Sequence, residues 1–342
     1  MDTLKKTIQF TFTWLFLVGA FFACDDQLNL EPNESISSAD TAPEAKAAST
    51  INAHTAQNAQ KAFWCFFKGK EKADIFYTLS TDNGRNWSSS QLVSSGAMTN
   101  KSPSAAILGN QVTIVYKEEN GNKLRSTYTT NGGASWEGGA PLGNGAKSKN
   151  APVLIPFKGR LHAFYEGEDG DDIWYSYSDD GRKWKGNIKI KETNGPSMTP
   201  EVVVFQDKLY VAYTKNGKVR FIFSTDNGSS WKKGPNSDIK TDANRGVAVV
   251  ALEGRVYMTY NENNQLFLAS SRNLTLWDQL GEINGAVTDK KPTLAKKGKA
   301  ILMTYKRNNT DDIYAALFRD GRWIFNRKAR GKTTKRPYVI FR

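Results

Sequence analysis

Three cations stand at equivalent points of this chain, each directly before a Pro or Gly that opens an apolar run: Arg245-Gly246, Lys291-Pro292 and Arg336-Pro337. Further bases, Lys101, Lys149, Lys290 and Lys335, flank the same junctions. Lys68, Lys117 and the pair Lys306-Arg307 end the apolar runs that follow. Cations gathered on one rim suit a carboxylate, sulfate or phosphate, held by charge-assisted hydrogen bonds. Other chemistries lack their parts. The chain holds two histidines, His54 and His162, which argues against histidine-based triads and histidine-ligated metal sites. The acidic stretch Glu166-Gly-Glu168-Asp169-Gly-Asp171-Asp172 reads as a solvated hairpin loop rather than a Ca²⁺ cage. No metal or cofactor is expected.

The elements that would carry these residues repeat. Trp87, Trp136, Trp184, Trp231, Trp277 and Trp323 recur at spacings of 49, 48, 47, 46 and 46 residues. A fixed period near that length marks a repeat architecture. Each unit has a Pro or Gly, a short apolar run such as Pro152-Val-Leu-Ile, and a second run ending in an aromatic, as in Leu209-Tyr-Val-Ala-Tyr213. A third run such as Val219-Arg-Phe-Ile-Phe223 leads into the turn before the tryptophan, and a weaker fourth segment follows. Short Val/Ile/Tyr/Phe-rich runs between turn signals are strands, and no segment sustains a helical period. Four antiparallel strands, six times over, predict an all-β, six-bladed β-propeller. The first unit starts at its second strand, Ala62–Phe67. Its missing first strand reappears as Pro337-Tyr-Val-Ile-Phe341, so the C-terminal strand is expected to close the first blade and remove an exposed edge.

The turn before the tryptophan is the sharpest motif. Ser80-Thr-Asp82-Asn-Gly84-Arg-Asn-Trp87 and Ser224-Thr-Asp226-Asn-Gly228-Ser-Ser-Trp231 share the form S-x-D-x-G-x-x-W. Thr129-Thr-Asn131-Gly-Gly133-Ala-Ser-Trp136 is a close variant, and Tyr177-Ser-Asp179-Asp-Gly181-Arg-Lys-Trp184 lacks the first hydroxyl. Ser270 to Trp277 keeps only the ends, and the sixth unit shortens to Asp320-Gly321-Arg-Trp323. An Asp or Asn carboxyl or amide oxygen accepts backbone N–H groups in a tight turn, Gly permits positive φ, and the indole fills the wedge between blades. These residues resemble the Asp-box, or bacterial neuraminidase repeat, of the sialidase-like superfamily, over nearly all of residues 60–342. The resemblance implies structural turns on the face opposite the ligand site, which would then lie where the Arg and Lys residues stand.

A sialidase would further need an arginine triad, a tyrosine nucleophile activated by a Glu, and an Asp as general acid. The candidates that the resemblance supplies are Tyr338, Glu201 and Asp74. The family's Arg-Ile-Pro signature is absent, its slot reading Arg336-Pro337-Tyr338. Glu201 falls on the fourth blade and Tyr338 on the first, opposite in a six-fold ring, so the pair is expected to be out of reach. The units also leave little length for the loops of a deep pocket. The reading is a lectin-like, non-catalytic propeller for glycans, anionic ones above all. An exo-sialidase-type glycoside hydrolase and a protein-interaction scaffold stay open as alternatives.

The N-terminus sets where this would happen. Lys5 and Lys6 precede an apolar run from Phe10 to Phe22, then Ala23-Cys24, the order of a secretory signal. Cys24 resembles the lipidated cysteine of bacterial lipoproteins. That implies export and anchoring of a monomer to the cell envelope, at the outer membrane or cell surface, by its lipid alone. Residues 25–60 read as a flexible tether and 61–342 as the propeller. Residues 1–58 hold three Lys and seven acids of the chain's 47 basic and 34 acidic residues, so residues 59–342 carry a net charge of +17. Such a surface attracts polyanions, glycans outside the cell rather than nucleic acid. Cys65, the only other cysteine, sits within Phe63-Trp-Cys-Phe-Phe67 and reads as core.

Overall fold

A computed structural model describes residues 61–342, apart from 94–95, 171, 192, 194–199 and 243–245. The apolar leader, Cys24 and the tether lie outside the described residues. The first blade contains β1 (Phe63–Lys68), β2 (Ile75–Ser80) and β3 (Gln91–Leu92). The second contains β4 (Ser104–Leu108), β5 (Gln111–Lys117), β6 (Leu124–Thr129) and β7 (Glu137–Pro141). The third contains β8 (Val153–Phe157), β9 (Arg160–Glu166), β10 (Ile173–Ser178) and β11 (Lys185–Lys189). The fourth contains β12 (Glu201–Phe205), β13 (Lys208–Lys215), β14 (Lys218–Ser224) and β15 (Lys232–Lys240). The fifth contains β16 (Ala248–Leu252), β17 (Arg255–Glu262), β18 (Gln265–Ser271) and β19 (Asp278–Val287). The sixth contains β20 (Thr293–Lys297), β21 (Ala300–Lys306), β22 (Asp312–Arg319) and β23 (Arg322–Lys332). Finally β24 (Tyr338–Phe341) returns to the first blade, whose order is β24-β1-β2-β3. Its register pairs Phe63 with Phe341 and Phe66 with Tyr338. All pairings within the blades are antiparallel, and among the described residues no helix is long and apolar enough to cross a membrane.

The buried side chains explain why the strands form here. They fall into six apolar clusters, each drawn from two adjacent blades. One joins Trp64 and Tyr77 of the first blade to Ile114 and Tyr116 of the second, and another joins Phe63 and Trp87 of the first to Leu302 and Leu317 of the sixth. The ring is therefore packed at every interface, including the closing one. Second strands are covered on both faces, and β5 is buried at all seven positions. Fourth strands are edges, and β11 and β19 are mostly exposed, which is why their sequences carry little apolar signal. Cys65 is fully buried, and burial pushes its thiol up to about 12, an unreactive core residue.

The turns also pack between blades. In the first, Ser80 Oγ donates to Asp82 Oδ1 (2.9 Å) and accepts from the Gly84 N–H (2.8 Å), while Asp82 Oδ1 accepts from Asn86 N–H (2.9 Å). The Trp87 indole N–H donates to the Gly84 carbonyl at 3.1 Å. Gly84 has φ +86°, and a Cβ there would lie 2.5 Å from Leu302 of the preceding blade, so both conformation and space require glycine. The second and fourth turns repeat the hydroxyl bonding, though not the indole bond, through Thr129 and Asn131, and through Ser224 and Asp226. The third corrects the alignment drawn from sequence. Asp180, not Asp179, accepts the Ser178 hydroxyl (3.0 Å) and the N–H groups of Arg182 and Lys183 (both 2.8 Å). This turn is one residue shorter from hydroxyl to tryptophan, which moves the acceptor along by one. Asp179 instead pairs with Arg160 (2.7 Å) and Lys185 (3.1 Å). The fifth turn uses the same short form, with Ser271, Asn273 and Trp277, and Leu274 takes the glycine slot at φ +65°. The sixth is a two-residue hairpin of Asp320 (φ 52°) and Gly321 (φ 75°).

His162 on β9 joins the third blade to the turn of the fourth, its Nε2 donating to Asn227 Oδ1 at 3.0 Å. Burial lowers its pKa from 6.5 to about 4, against the hydrogen bond to Asn227 that works to raise it. Between those two values acid protonates the unfolded chain but not the fold, so stability is lost as the pH falls through this window. The shift corresponds to about 3 kcal/mol at pH 4 and below. Urea unfolding of the native chain and His162→Gln at pH 7 and pH 4 should show the native chain losing more stability by about that amount. Equal losses would show that the imidazole does not titrate between the two states.

Candidate functional site

Every first strand runs from one face of the ring to the other along the axis. Its side chains line an axial channel of about 370 Å³, with Ala105, Leu154, Val202, Val250, Leu294 and Tyr338 contributing one from each blade. The hairpins of strands one and two and the tryptophan turns lie at one face. The starts of the first strands, where the predicted cations stand, lie at the other.

The mouth at that second face is filled by a buried ionic cluster. Glu201, the first residue of β12, accepts from Arg336 Nη1 at 2.5 Å and pairs with Lys291 Nζ at 2.6 Å through the same oxygen, Oε1. Lys291 Nζ also reaches the Pro200 carbonyl at 3.2 Å. Glu201, Arg336 and Lys291 are 5%, 5% and 8% exposed, so the cluster is withdrawn from solvent. Among the described residues two cations face one carboxylate at the head of an apolar channel. Burial brings Lys291 down to about 8, with Arg336 adding to that effect and Glu201 opposing it. Arg336 Nη2 is buried and has no acceptor among the described residues.

Around the triad, Thr293 Oγ1 donates to the Pro337 carbonyl (2.6 Å), and Tyr338 OH donates to the Leu154 carbonyl (3.4 Å) across the channel. The Tyr338 ring lies 5.3 Å from the Arg336 guanidinium. Burial, then the charge of Glu201, push the Tyr338 phenol up to about 12. Glu201 of the fourth blade thus meets Arg336 of the first across the axis, whereas the Tyr338 hydroxyl is bonded to Leu154 and has no described hydrogen bond to Glu201. First strands crowd a narrow axis, and a Glu and an Arg from opposite blades together span it.

Of the predicted cations, Lys291 and Arg336 converge, with Glu201 as counter-ion, and Arg245 lies outside the described residues. Lys306 is buried against Asp289 (3.2 Å), which also holds Lys290 (2.8 Å). Burial works to raise the Asp289 carboxyl, but the two lysines more than offset it and hold it below its ordinary value. Lys117 donates to Asn100 Oδ1 (3.3 Å), the Glu118 carbonyl (3.3 Å) and the Gly121 carbonyl. Lys68 donates to the Gly69 carbonyl (2.7 Å). Arg307 points to the flank, its guanidinium 4.8 Å from the Tyr314 ring. Asp74 bridges to Met98 at the end of the first blade's loop, and none of its described bonds reaches the triad. Lys335, half-buried, is held below its ordinary value by burial and then by Lys101, Lys290 and Lys68. Lys101, Lys290 and Lys68, from the second, sixth and first blades, thus stand near enough to Lys335 for their charges to act on it.

In the acidic loop, Glu166 accepts from Asn150 (2.5 Å), Glu168 pairs with Lys147 (3.3 Å) and Asp172 with Lys189 (2.5 Å). Among the described residues no group of three or more His, Cys, Asp or Glu is placed to hold a metal ion.

Six four-stranded antiparallel blades around a central axis make this a six-bladed β-propeller. Among solved structures it resembles a mutant of the Aleuria aurantia lectin in complex with Fucα1-6GlcNAc, at TM-score 0.55 and 14% identity over 76% of this chain and 90% of that one. It also resembles the Hadza microbial sialidase Hz136 (TM-score 0.52, 11% identity, 69% of this chain and 57% of that one). The Trypanosoma rangeli sialidase in complex with the inhibitor DANA gives TM-score 0.50 and 14% identity, over 77% and 54% of the two chains. The chain thus spans little more than half the length of these sialidases, and at such identities the likeness is one of fold. No protein-family model and no curated protein sequence matches it.

Removing one partner from a buried ionic cluster costs about 3–5 kcal/mol because the others stay charged and desolvated. Glu201→Gln should therefore lower the urea midpoint sharply, and adding Lys291→Met should restore part of the loss by removing one of the two stranded cations. A double variant no better than Glu201→Gln would show that Lys291 and Glu201 are not coupled.

Proposed function

We propose that this protein is a lectin-like, non-catalytic propeller that binds anionic glycans across the lysine-lined mouth. The observation that carries this is the set of lysines at the starts of the first strands and ends of the second, where Lys68, Lys101 and Lys290 (itself paired with Asp289) each act by charge on the half-buried Lys335. Like charges are held there at a cost that an anionic ligand would relieve. The deeper cations are already matched in part by Glu201, so the mouth offers a charged floor rather than an open catalytic pocket. The orphaned Nη2 of Arg336 adds a donor beneath that floor.

Two observations speak against sialidase chemistry. A tyrosine nucleophile must lose its proton, and the Tyr338 phenol is buried, pushed up to about 12 and donating to a backbone carbonyl. The Glu that would activate it is held by two cations. Lectin and sialidase relatives in fold are compatible with a saccharide ligand. The Ser–Asp–Gly–Trp turns support kinship with Asp-box repeats, a structural role for Asp82, Gly84, Trp87 and their counterparts, and a ligand face on the opposite side. The leader and Cys24 support export and lipid anchoring of a monomer to the bacterial envelope. There the +17 domain meets anionic polysaccharide and no nucleic acid.

The test is binding of heparin and of neutral dextran by the purified chain. Heparin should bind with an affinity that falls as salt rises, dextran should not, and the Lys101→Ala/Lys335→Ala pair should weaken heparin by about tenfold or more. A fluorogenic sialoside should not be turned over. Undiminished heparin binding in the double variant, or sialoside turnover that Tyr338→Phe abolishes, would overturn the reading.

A further inference from the structure

A second cavity, of about 220 Å³, lies on the flank where the third blade meets the strand-connecting segment that leaves the second. Trp174 of β10 forms its wall, registered opposite Tyr165 and Lys189. The indole edge lies on Gly167, where a Cβ would come within 2.6 Å of Nε1. Among the described residues no aromatic ring or cation is stacked on this indole.

That bare ring is peculiar to the third blade. The equivalent position is Arg125 in the second blade and Arg220 in the fourth. In the first, fifth and sixth blades the ring is already engaged. Phe76 stacks on Phe67 at 6.0 Å and Phe267 on Tyr260 at 5.6 Å, and Tyr314 has the Arg307 guanidinium at 4.8 Å.

Polar groups face the indole from several elements. Glu168 is held by Lys147 (3.3 Å) and by Asn122 Nδ2 (3.0 Å), and Asp172 by Lys189 (2.5 Å). Asn187 is fixed through Oδ1, which accepts from the hydroxyl of the fully buried Tyr165 at 2.9 Å. The sixth blade uses the same pair, Tyr305 OH to Asn326 Oδ1 at 2.8 Å, so this bond belongs to the scaffold. What the third blade adds is backbone strain. Asn187 sits at φ 106°, a conformation that a non-glycine residue keeps only when its surroundings impose it.

We propose that this cavity is a second saccharide site, for a single neutral pyranose, separate from the lysine-lined mouth. The chemistry follows from the lining. The half-buried indole, one side packed on the core and the other facing the cavity, can take the C–H face of a sugar ring. Carboxylates paired with lysines leave acceptor lone pairs and ammonium donors side by side, and a hydroxyl gives one hydrogen bond and takes others. Three acids, Glu168, Asp169 and Asp172, against Lys147 and Lys189 leave no net positive charge to draw an anion. An apolar ligand would leave these groups unsatisfied. The space suits one ring set among few convergent polar groups.

The experiment is saturation-transfer NMR and tryptophan fluorescence on the full chain with a panel of methyl pyranosides: glucoside, galactoside, mannoside, fucoside and xyloside. At least one should bind. Trp174→Ala and Glu168→Gln should each weaken it by about tenfold or more. Added salt and the Lys101→Ala/Lys335→Ala pair should leave it unchanged, which separates this site from the mouth. Glu168 is 42% exposed, so its variant keeps the fold even where Trp174→Ala does not. No binding by any pyranoside of the panel, or binding unaltered in Glu168→Gln, would overturn the proposal.

Discussion

A single carboxylate, Glu201, is bound by cations from two other blades, Arg336 at the entrance to the first and Lys291 at the entrance to the sixth. Three desolvated charges at a channel head are stable only while each has its partner. The triad therefore fixes the approach of three blades at the axis and decides what the mouth can be. Its charges are largely spent on one another. Among the described residues one guanidinium nitrogen of Arg336 stays unmatched.

The rest of the ring is held by shape more than by charge. In the first four blades the tryptophan turn leans on the blade before it, its glycine meeting a neighbouring side chain, as Gly84 meets Leu302. The fifth turn reaches the same end differently. Leu274 accepts a left-handed backbone so that its side chain can enter the core shared with the fourth blade, beside Trp277 and Phe221. The turn bonding survives in both forms because it needs only a hydroxyl and an Asp or Asn two residues on, as with Ser80 and Asp82 or Ser271 and Asn273.

The architecture was legible because it is local and repeated. Six tryptophans at a falling spacing, and a stray strand at residues 337–341, were enough to specify a closed ring. Single-residue slips were not legible. Asp179 and Asp180 are chemically equal, and only the shorter turn decides between them. The site was read in part. The cations before the first strands were visible, whereas Glu201 as a counter-ion depends on how far side chains reach across a crowded axis, and Asp289 on contacts within the sixth blade. Opposite position in a six-fold ring suggested separation, but the first strands are the innermost, so opposite blades touch there. The Trp174 cavity left no mark in the pattern, since it arises where one blade departs from the other five.

The pairing of Phe63 with Phe341 has a kinetic side. Strands within a blade are near neighbours in sequence and can meet quickly, but this seam must wait for nearly the whole domain to arrange itself. The entropy of bringing distant ends together grows only with the logarithm of their separation, so a long span burdens the seam's equilibrium little. Until it forms, Trp64 and Cys65 stand on an unpaired edge, and Arg336 has not yet arrived opposite Glu201. Folding and the creation of the ionic centre thus finish in the same step, and an unsealed ring is at once prone to stick to its own kind and unable to present its mouth.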